Sequence, residues 1–255
     1  MQNDIEEELN SCKQKIEVMK LNEFQEIQNR VCSKVDYLYS VLRKLQDVNA
    51  ESLQRCKGVI NASPYNARTP ELNYCVDAIV FEIPFQKLTH LSKDLNENID
   101  KAQLKLYIKG IIDASAWKDE NKNLWKDISF KAELILLTLD GQRYCKCFHV
   151  DQIENVGNNF QQIHPLSHLH FSGYLETDLP RLVHYPVDLI LGLSMLLQNF
   201  DLKQYERLIK DSIYVSLCYE SQKRILKPYF ANFINPIDRN GKCNTNIKQV
   251  CPYLL

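Results

Sequence analysis

The first 45 residues carry apolar side chains at a spacing that predicts one long helix with a partner surface. Ile5, Leu9, Cys12, Ile16 and Met19 are separated by alternating steps of four and three, which places them on one narrow stripe of an α-helix. The stripe shifts phase near residues 20–23 and then resumes at Phe24, Ile27, Val31, Val35, Leu38, Leu42 and Leu45. Such an interruption changes the supercoil locally without ending the helix. Because an apolar stripe in water forfeits its burial, the helix must pack against something.

This helix is predicted to reach about Cys56, since Gly58, Pro64 and Pro70 then oppose its continuation. It would have roughly 50 residues and a length of about 75 Å. One alternative is a bent helix that packs on the protein's own core, but an intermolecular coiled coil is favoured. The flanking positions carry no clear charge code, so homo- and hetero-oligomers both remain open. The residues predicted to bind the partner are Ile5, Leu9, Ile16, Met19, Phe24, Ile27, Val31, Leu38, Leu42 and Leu45.

The periodicity changes after residues 58–72, a stretch of turn residues with two prolines. This predicts a coiled-coil helix over 1–57, a linker over 58–72 and a folded domain over 73–255. Residues 74–83 and 104–112 are rich in β-formers and are predicted to be strands. Apolar helical spacing follows after residue 186, and residues 212–220 fit helix or strand equally. The predicted fold class is α+β: a long N-terminal coiled-coil helix, a mostly antiparallel sheet of about five strands, and C-terminal helices.

Residues 134–150 are the clearest local signal, because Asp140-Gly141 lies between two β-like runs. A two-residue loop at this dipeptide predicts a hairpin in which Leu136 faces Cys145 and Leu134 faces Cys147. Both cysteines would then share a face with leucines. Buried thiols behave as small hydrophobic groups, so a packing role is favoured over metal binding or redox chemistry.

Bulk composition argues for a globular protein in the cytoplasm or nucleus. Lysine and arginine number 31 against 32 acidic residues, so the chain has no net basic field that would hold a nucleic acid. The first residues are polar and acidic, unlike a signal peptide, and no apolar run approaches the ~18 residues of a membrane span. The nine cysteines are predicted to be reduced thiols. No membrane partner is expected.

Motifs for catalysis are absent from the sequence. The chain has seven glycines and contains no dinucleotide-binding or phosphate-binding glycine loop and no nucleophile elbow. The sequence therefore predicts no catalytic residue and no cofactor. The function predicted is a non-enzymatic subunit or adaptor of a multiprotein complex, which assembles through the coiled coil and presents the α+β domain as a second interaction surface.

Two alternative functions rest on local clusters. His164, His168 and His170 lie within seven residues, a spacing that metal sites use but that is unspecific. Trp117 and Trp125 alternate with lysines over residues 114–127, as in surfaces that stack nucleic-acid bases. Acidic residues dilute the charge of that stretch, so a protein contact or a core role is preferred there.

Overall fold

The computed structural model describes the backbone over residues 2–83, 98–119, 122–153, 167–172 and 182–234. Helix α1, Gln2–Leu42, is followed by α2, Ser52–Asn61. The predicted continuous helix to Cys56 is therefore wrong. Between the two helices Asp47 adopts a positive φ of 57°, and the Asn49 side chain accepts a hydrogen bond from the Glu51 amide. Asn favours such local bonds over helix, and no glycine or proline lies between the two helices.

The described strands form one antiparallel sheet in which neighbours in sequence are neighbours in space. Its five longer strands agree with the predicted number, and a two-residue strand lies at each edge. Together with the flanking helices they make an α+β fold, as predicted. The strands are β1 Val48–Asn49, β2 Glu71–Ile83, β3 Ile99–Asp113, β4 Trp125–Thr138, β5 Arg143–Ile153, β6 Ser167–Ser172 and β7 Leu182–Val183.

The hairpin β4–β5 is confirmed, but its predicted register is wrong by one residue. Thr138 donates its amide to the carbonyl of Gln142, so the loop contains three residues and Gly141 takes a φ of 82°. Cys147 consequently pairs with Glu133, and Cys145 pairs with Ile135. A one-residue shift moves every side chain to the other face. The two cysteines therefore share the face of Glu133 and not that of Leu134.

The C-terminal helices begin at aspartates. Asp188, Asp201 and Asp211 accept hydrogen bonds from backbone amides one to three residues into the helices that follow them, which satisfies amides that have no partner inside a helix. Residues 212–220, which fitted helix or strand, are helical. The elements are α3 Leu189–Phe200, α4 Leu202–Leu208, α5 Ser212–Ser221, a π-helical turn Gln222–Leu226 and α6 Lys227–Ile234.

The helices and the sheet share one core. β3 alternates as its sequence indicates, with Leu104, Leu106 and Ile108 buried. The same cluster contains Val31 of α1 and Leu193 of α3. Where α3 approaches the sheet most closely, Gly192 lies directly on the ring of Phe130. The predicted division of the chain at residues 58–72 stays a prediction, but residues from the second half of α1 belong to this core.

Candidate functional site

The N-terminal half of α1 extends away from the domain. We call residues 2–22 the N-terminal projection; at 1.5 Å per residue it is about 30 Å long. Ile16 is 51% exposed and Met19 is 70% exposed, and every described side chain from residue 11 to 22 is exposed. Ile5 and Leu9 lie in its first turns. The first heptad run is therefore accessible wherever its side chains are described.

The second heptad run packs on the protein's own domain. Its predicted partner-binding residues lie against the sheet and the C-terminal helices, and only Leu45, beyond the end of α1, is partly buried. For this half of the stripe, the structure agrees with the alternative of a bent helix that packs on the protein's own core. The run leaves no apolar seam free for another chain without opening the core. The buried members are Phe24, Ile27, Val31, Val35, Leu38 and Leu42.

The histidines of the metal alternative lie at the other end of the sheet. His164 falls outside the described residues, whereas His168 and His170 are on β6, where they pair with Asp151 and His149 of β5. The His149 Nε2 is 2.8 Å from the hydroxyl of Ser129 and 3.0 Å from a carboxylate oxygen of Asp151. Among the residues with described side chains, no group of three metal-binding residues is found.

Two of the described thiols, Cys145 on β5 and Cys56 on α2, are poorly suited to thiolate chemistry. Burial, and then the neighbouring Glu133 carboxylate, raise the pKa of the Cys145 thiol. Burial raises the pKa of the Cys56 thiol to about 12. Because the thiolate is the reactive species, both remain protonated at neutral pH. The seven cysteines that the structure describes are free.

The two tryptophans of the aromatic stretch have different environments. Trp125 is buried and its ring meets that of Tyr74 edge-on, with 5.3 Å between centroids. Trp117 is partly buried, with the Lys34 ammonium 4.4 Å from its centroid. Lys118 and Lys126 pair with carboxylates of Glu23 and Glu71. Trp125 thus serves the core, and the stretch offers few free cations to a nucleic acid.

A cavity of about 90 Å³ lies between α1, the end of the sheet, and the α5 segment with its π-helical turn. Its walls are aliphatic and its floor includes Tyr74 and Trp125. The Tyr74 side chain is more than nine-tenths buried, and its hydroxyl has no hydrogen-bond partner among the described residues. π-helical turns occur often at functional sites. The aliphatic wall is formed by Val31, Val35, Leu38, Leu189, Leu217 and Ile225.

Two cations and a carboxylate surround the opening of this cavity. Lys34 and Glu220 form an ion pair there. Arg224 donates hydrogen bonds to the carbonyls of Trp117, at 2.6 Å, and Asp119, at 3.4 Å, and no described carboxylate lies within salt-bridge distance of it. Burial lowers the pKa of Lys34, and the hydrogen bond to Glu220 acts in the opposite direction. The opening is therefore polar and densely charged above an apolar interior.

A second carboxylate lies deeper in the wall. Asp188 is buried; one of its oxygens accepts from the Leu191 amide at 2.9 Å and the other from the Ser221 hydroxyl at 2.7 Å. Burial raises the pKa of its carboxyl group, and the hydrogen bonds oppose that effect. Asp188 thereby ties the start of α3 to the end of α5 beside the cavity.

Sequence reasoning found none of the charged residues of this cavity as a site. Lys34 and Glu220 are separated by 186 positions, so no local spacing relates them. Asp188 in front of an apolar run was the single local signal, and that signal indicates a helix cap as readily as a site.

No helix in the described part of the chain has the length and apolar character needed to cross a membrane. Comparison with known proteins found no family model, curated protein or solved structure that matches this chain.

Proposed function

We propose that this protein is a non-enzymatic subunit or adaptor of a multiprotein complex and that it assembles through the N-terminal projection. The observation that supports this most is the exposure of the heptad stripe at Ile16 and Met19. A helix of this length without tertiary packing is marginal in water, and burial of its stripe in a coiled coil would stabilise it. The cytoplasm or the nucleus is the proposed location.

The burial of the second heptad run supports the same proposal, because it limits the proposed partner contacts to the first run. Leu38 and Leu42 are 2% and 0% exposed within the domain. They therefore hold the second half of α1 in the core, and only the first heptad run is accessible to a partner. The α+β domain then lies at one end of the coiled coil and offers a second surface for interaction. Only the seam residues of the projection, Ile5, Leu9, Ile16 and Met19, remain as proposed partner contacts.

A matched pair of variants tests this seam. In the first, Ile16→Lys and Met19→Lys place two charges on the stripe; in the control, Val18→Lys places one charge on a neighbouring position that is 56% exposed and off the stripe. Both should leave the domain folded, since no altered side chain is buried. The mass of purified complexes is measured by light scattering over a range of concentrations, with circular dichroism for folding.

We expect the full chain to form a dimer or higher oligomer, or a defined complex with a co-purified partner. The double variant should lose that assembly and the Val18→Lys variant should keep it. Assembly that survives the double variant, or a full chain that is monomeric and without a partner at every concentration, would overturn the proposal.

The pairing of β5 with β6 favours a metal site as a second candidate function. Directly opposite residues on antiparallel strands have Cβ atoms about 4.5–5.5 Å apart. The backbone register places His170 opposite His149 and His168 opposite Asp151, and histidine and aspartate are residue types that bind zinc. Sequence reasoning had grouped His168 and His170 with His164 and missed the contribution of β5.

Metal analysis of the purified protein tests this second candidate. We expect about one zinc ion per chain, lost in His149→Asn and retained in the control His184→Asn, whose histidine lies beyond β7. Metal-free protein whose melting temperature is unchanged by added zinc would reject it.

A further inference from the structure

We infer that the cavity between α1 and the α5 segment binds a small aliphatic α-amino acid, with the side chain in the apolar interior and the charged α-groups at the polar opening. No part of the assembly proposal is needed for this inference. The shape and the charges of the cavity suit such a ligand, and both are set by side chains that the structure describes.

The size of the interior selects the ligand's side chain. An apolar cavity of about 150 Å³ is known to hold benzene, and this one has about 90 Å³. A cavity of this size favours an aliphatic group of three or four carbons, as in valine, leucine and isoleucine, over the aromatic ring of phenylalanine.

The charges at the opening are complementary to a zwitterion. Arg224 has two of its N–H groups on backbone carbonyls, and a guanidinium carries five donors, so it can still receive a carboxylate. Lys34 provides a second cation. Glu220 provides an acceptor for an α-ammonium group. A ligand that carries only a positive or only a negative charge would pair with only some of these groups.

The ligand would replace interactions that already exist at the opening. Lys34 and Glu220 now neutralise each other, and the ligand's carboxylate and ammonium would separate them and take the place of each partner. This exchange keeps every charge paired, which buried or half-buried ions require. It also changes the surroundings of Trp117, over whose ring Lys34 lies, so ligand binding has an optical readout.

Titration calorimetry and tryptophan fluorescence on the full chain test the inference. The probes are L-leucine, L-isoleucine, L-valine, L-phenylalanine, and the two half-ligands 4-methylpentanoate and 3-methylbutylamine. We expect the three aliphatic amino acids to bind and phenylalanine not to bind. Each half-ligand should bind at least about tenfold more weakly than leucine, because charge-assisted hydrogen bonds are lost.

Three variants locate the binding. Arg224→Gln should weaken leucine at least about tenfold, and Arg207→Gln, on the exposed side of α4, should leave the affinity unchanged. Val31→Phe should fill the interior and abolish binding while circular dichroism shows a folded protein. No binding of any aliphatic amino acid at millimolar concentration, equal binding of 4-methylpentanoate and leucine, or leucine binding that is insensitive to Arg224→Gln would each overturn the inference.

Discussion

At the scale of single residues, the contact between Gly192 and Phe130 limits what α3 can contain. A Cβ atom at position 192 would lie 2.3 Å from two carbons of the Phe130 ring, and that ring is fully buried. We expect Gly192→Ala to lower the free energy of unfolding by about 1–3 kcal/mol, because overpacking forces the ring or the helix to shift. Urea denaturation monitored by circular dichroism measures this change.

Gly58→Ala is the matched control for this substitution. Gly58 also lies inside a helix, α2, but a Cβ there would meet no atom within 4 Å. The same substitution should therefore stabilise the protein by about 0.5–1 kcal/mol through helix propensity. Equal effects of the two substitutions would contradict the packing of α3 on β4.

The sequence does not distinguish these two glycines. Gly58 was predicted to stop a helix and lies within one, whereas Gly192 falls in the stretch of apolar helical spacing predicted after residue 186. Helix propensity is a local property, but the clearance between a backbone and a ring depends on how two distant elements pack. Local spacing therefore predicts the helix around residue 192 and not the contact that requires its glycine.

At the scale of elements, the start of α5 is joined to the end of α1 through Asp211. Its carboxylate accepts from the amides of Ile213 and Tyr214 and pairs with the Lys44 ammonium at 2.7 Å. The hydrogen bond from Lys44 is the main cause that lowers the pKa of Asp211. We expect Asp211→Ala to cost about 0.5–2 kcal/mol at neutral pH, the usual value for an N-cap.

This cost should depend on pH in a defined direction. A carboxyl group whose pKa is lower in the folded state contributes stability above its unfolded pKa, and this contribution is lost as the pH falls through the folded pKa. The ordinary pKa of this carboxyl group is 3.8, so the difference between Asp211→Ala and the unaltered protein should be constant near neutrality and shrink as the pH falls below 3.8. Asp211→Asn keeps a capping oxygen, so its cost at neutral pH should be smaller; because the titrating group is in the unaltered protein, this cost should shrink over the same pH range. Urea midpoints measured across the pH range check both.

The hairpin β4–β5 shows how far an element can be predicted. Asp140-Gly141 indicated the turn and the alternation indicated both strands, and all of this is confirmed. The register was missed because the loop includes Leu139 and because the Thr138 hydroxyl contacts Asp140 and accepts from the Gln142 amide. A dipeptide that suits two-residue and three-residue loops equally leaves that choice to hydrogen bonds of its neighbours.

At the scale of the whole molecule, the long N-terminal helix has two halves with different roles. Both halves carry apolar residues at heptad spacing, so the sequence alone predicted that both halves bind one partner. The structure gives the second half to the core, where α1 meets the C-terminal helices. The cavity also depends on this packing, because Lys34, Asp188 and Glu220 come together only when α1 packs on the C-terminal helices. No spacing along the chain could bring those residues together in advance.

Two truncations separate the halves of α1. Removal of residues 1–22 deletes only exposed or projecting helix, and we expect the urea midpoint to stay unchanged while assembly is lost. Removal of residues 1–42 also deletes the six buried residues of the second run. Each buried side chain of this kind contributes about 1.5–3 kcal/mol, so their sum is comparable with the total stability of about 5–15 kcal/mol for a domain.

The longer truncation should therefore fail to fold cooperatively, as seen by circular dichroism and by urea denaturation. A chain that begins at residue 43 and unfolds at the same urea concentration as the full protein would show that α1 lies outside the core, and the cavity would then lose one of its walls. The shorter truncation should keep the cavity intact, because its first α1 residue, Val31, lies beyond the deleted segment. Leucine binding that persists in this monomeric form would show that assembly and ligand binding are separate properties of the molecule.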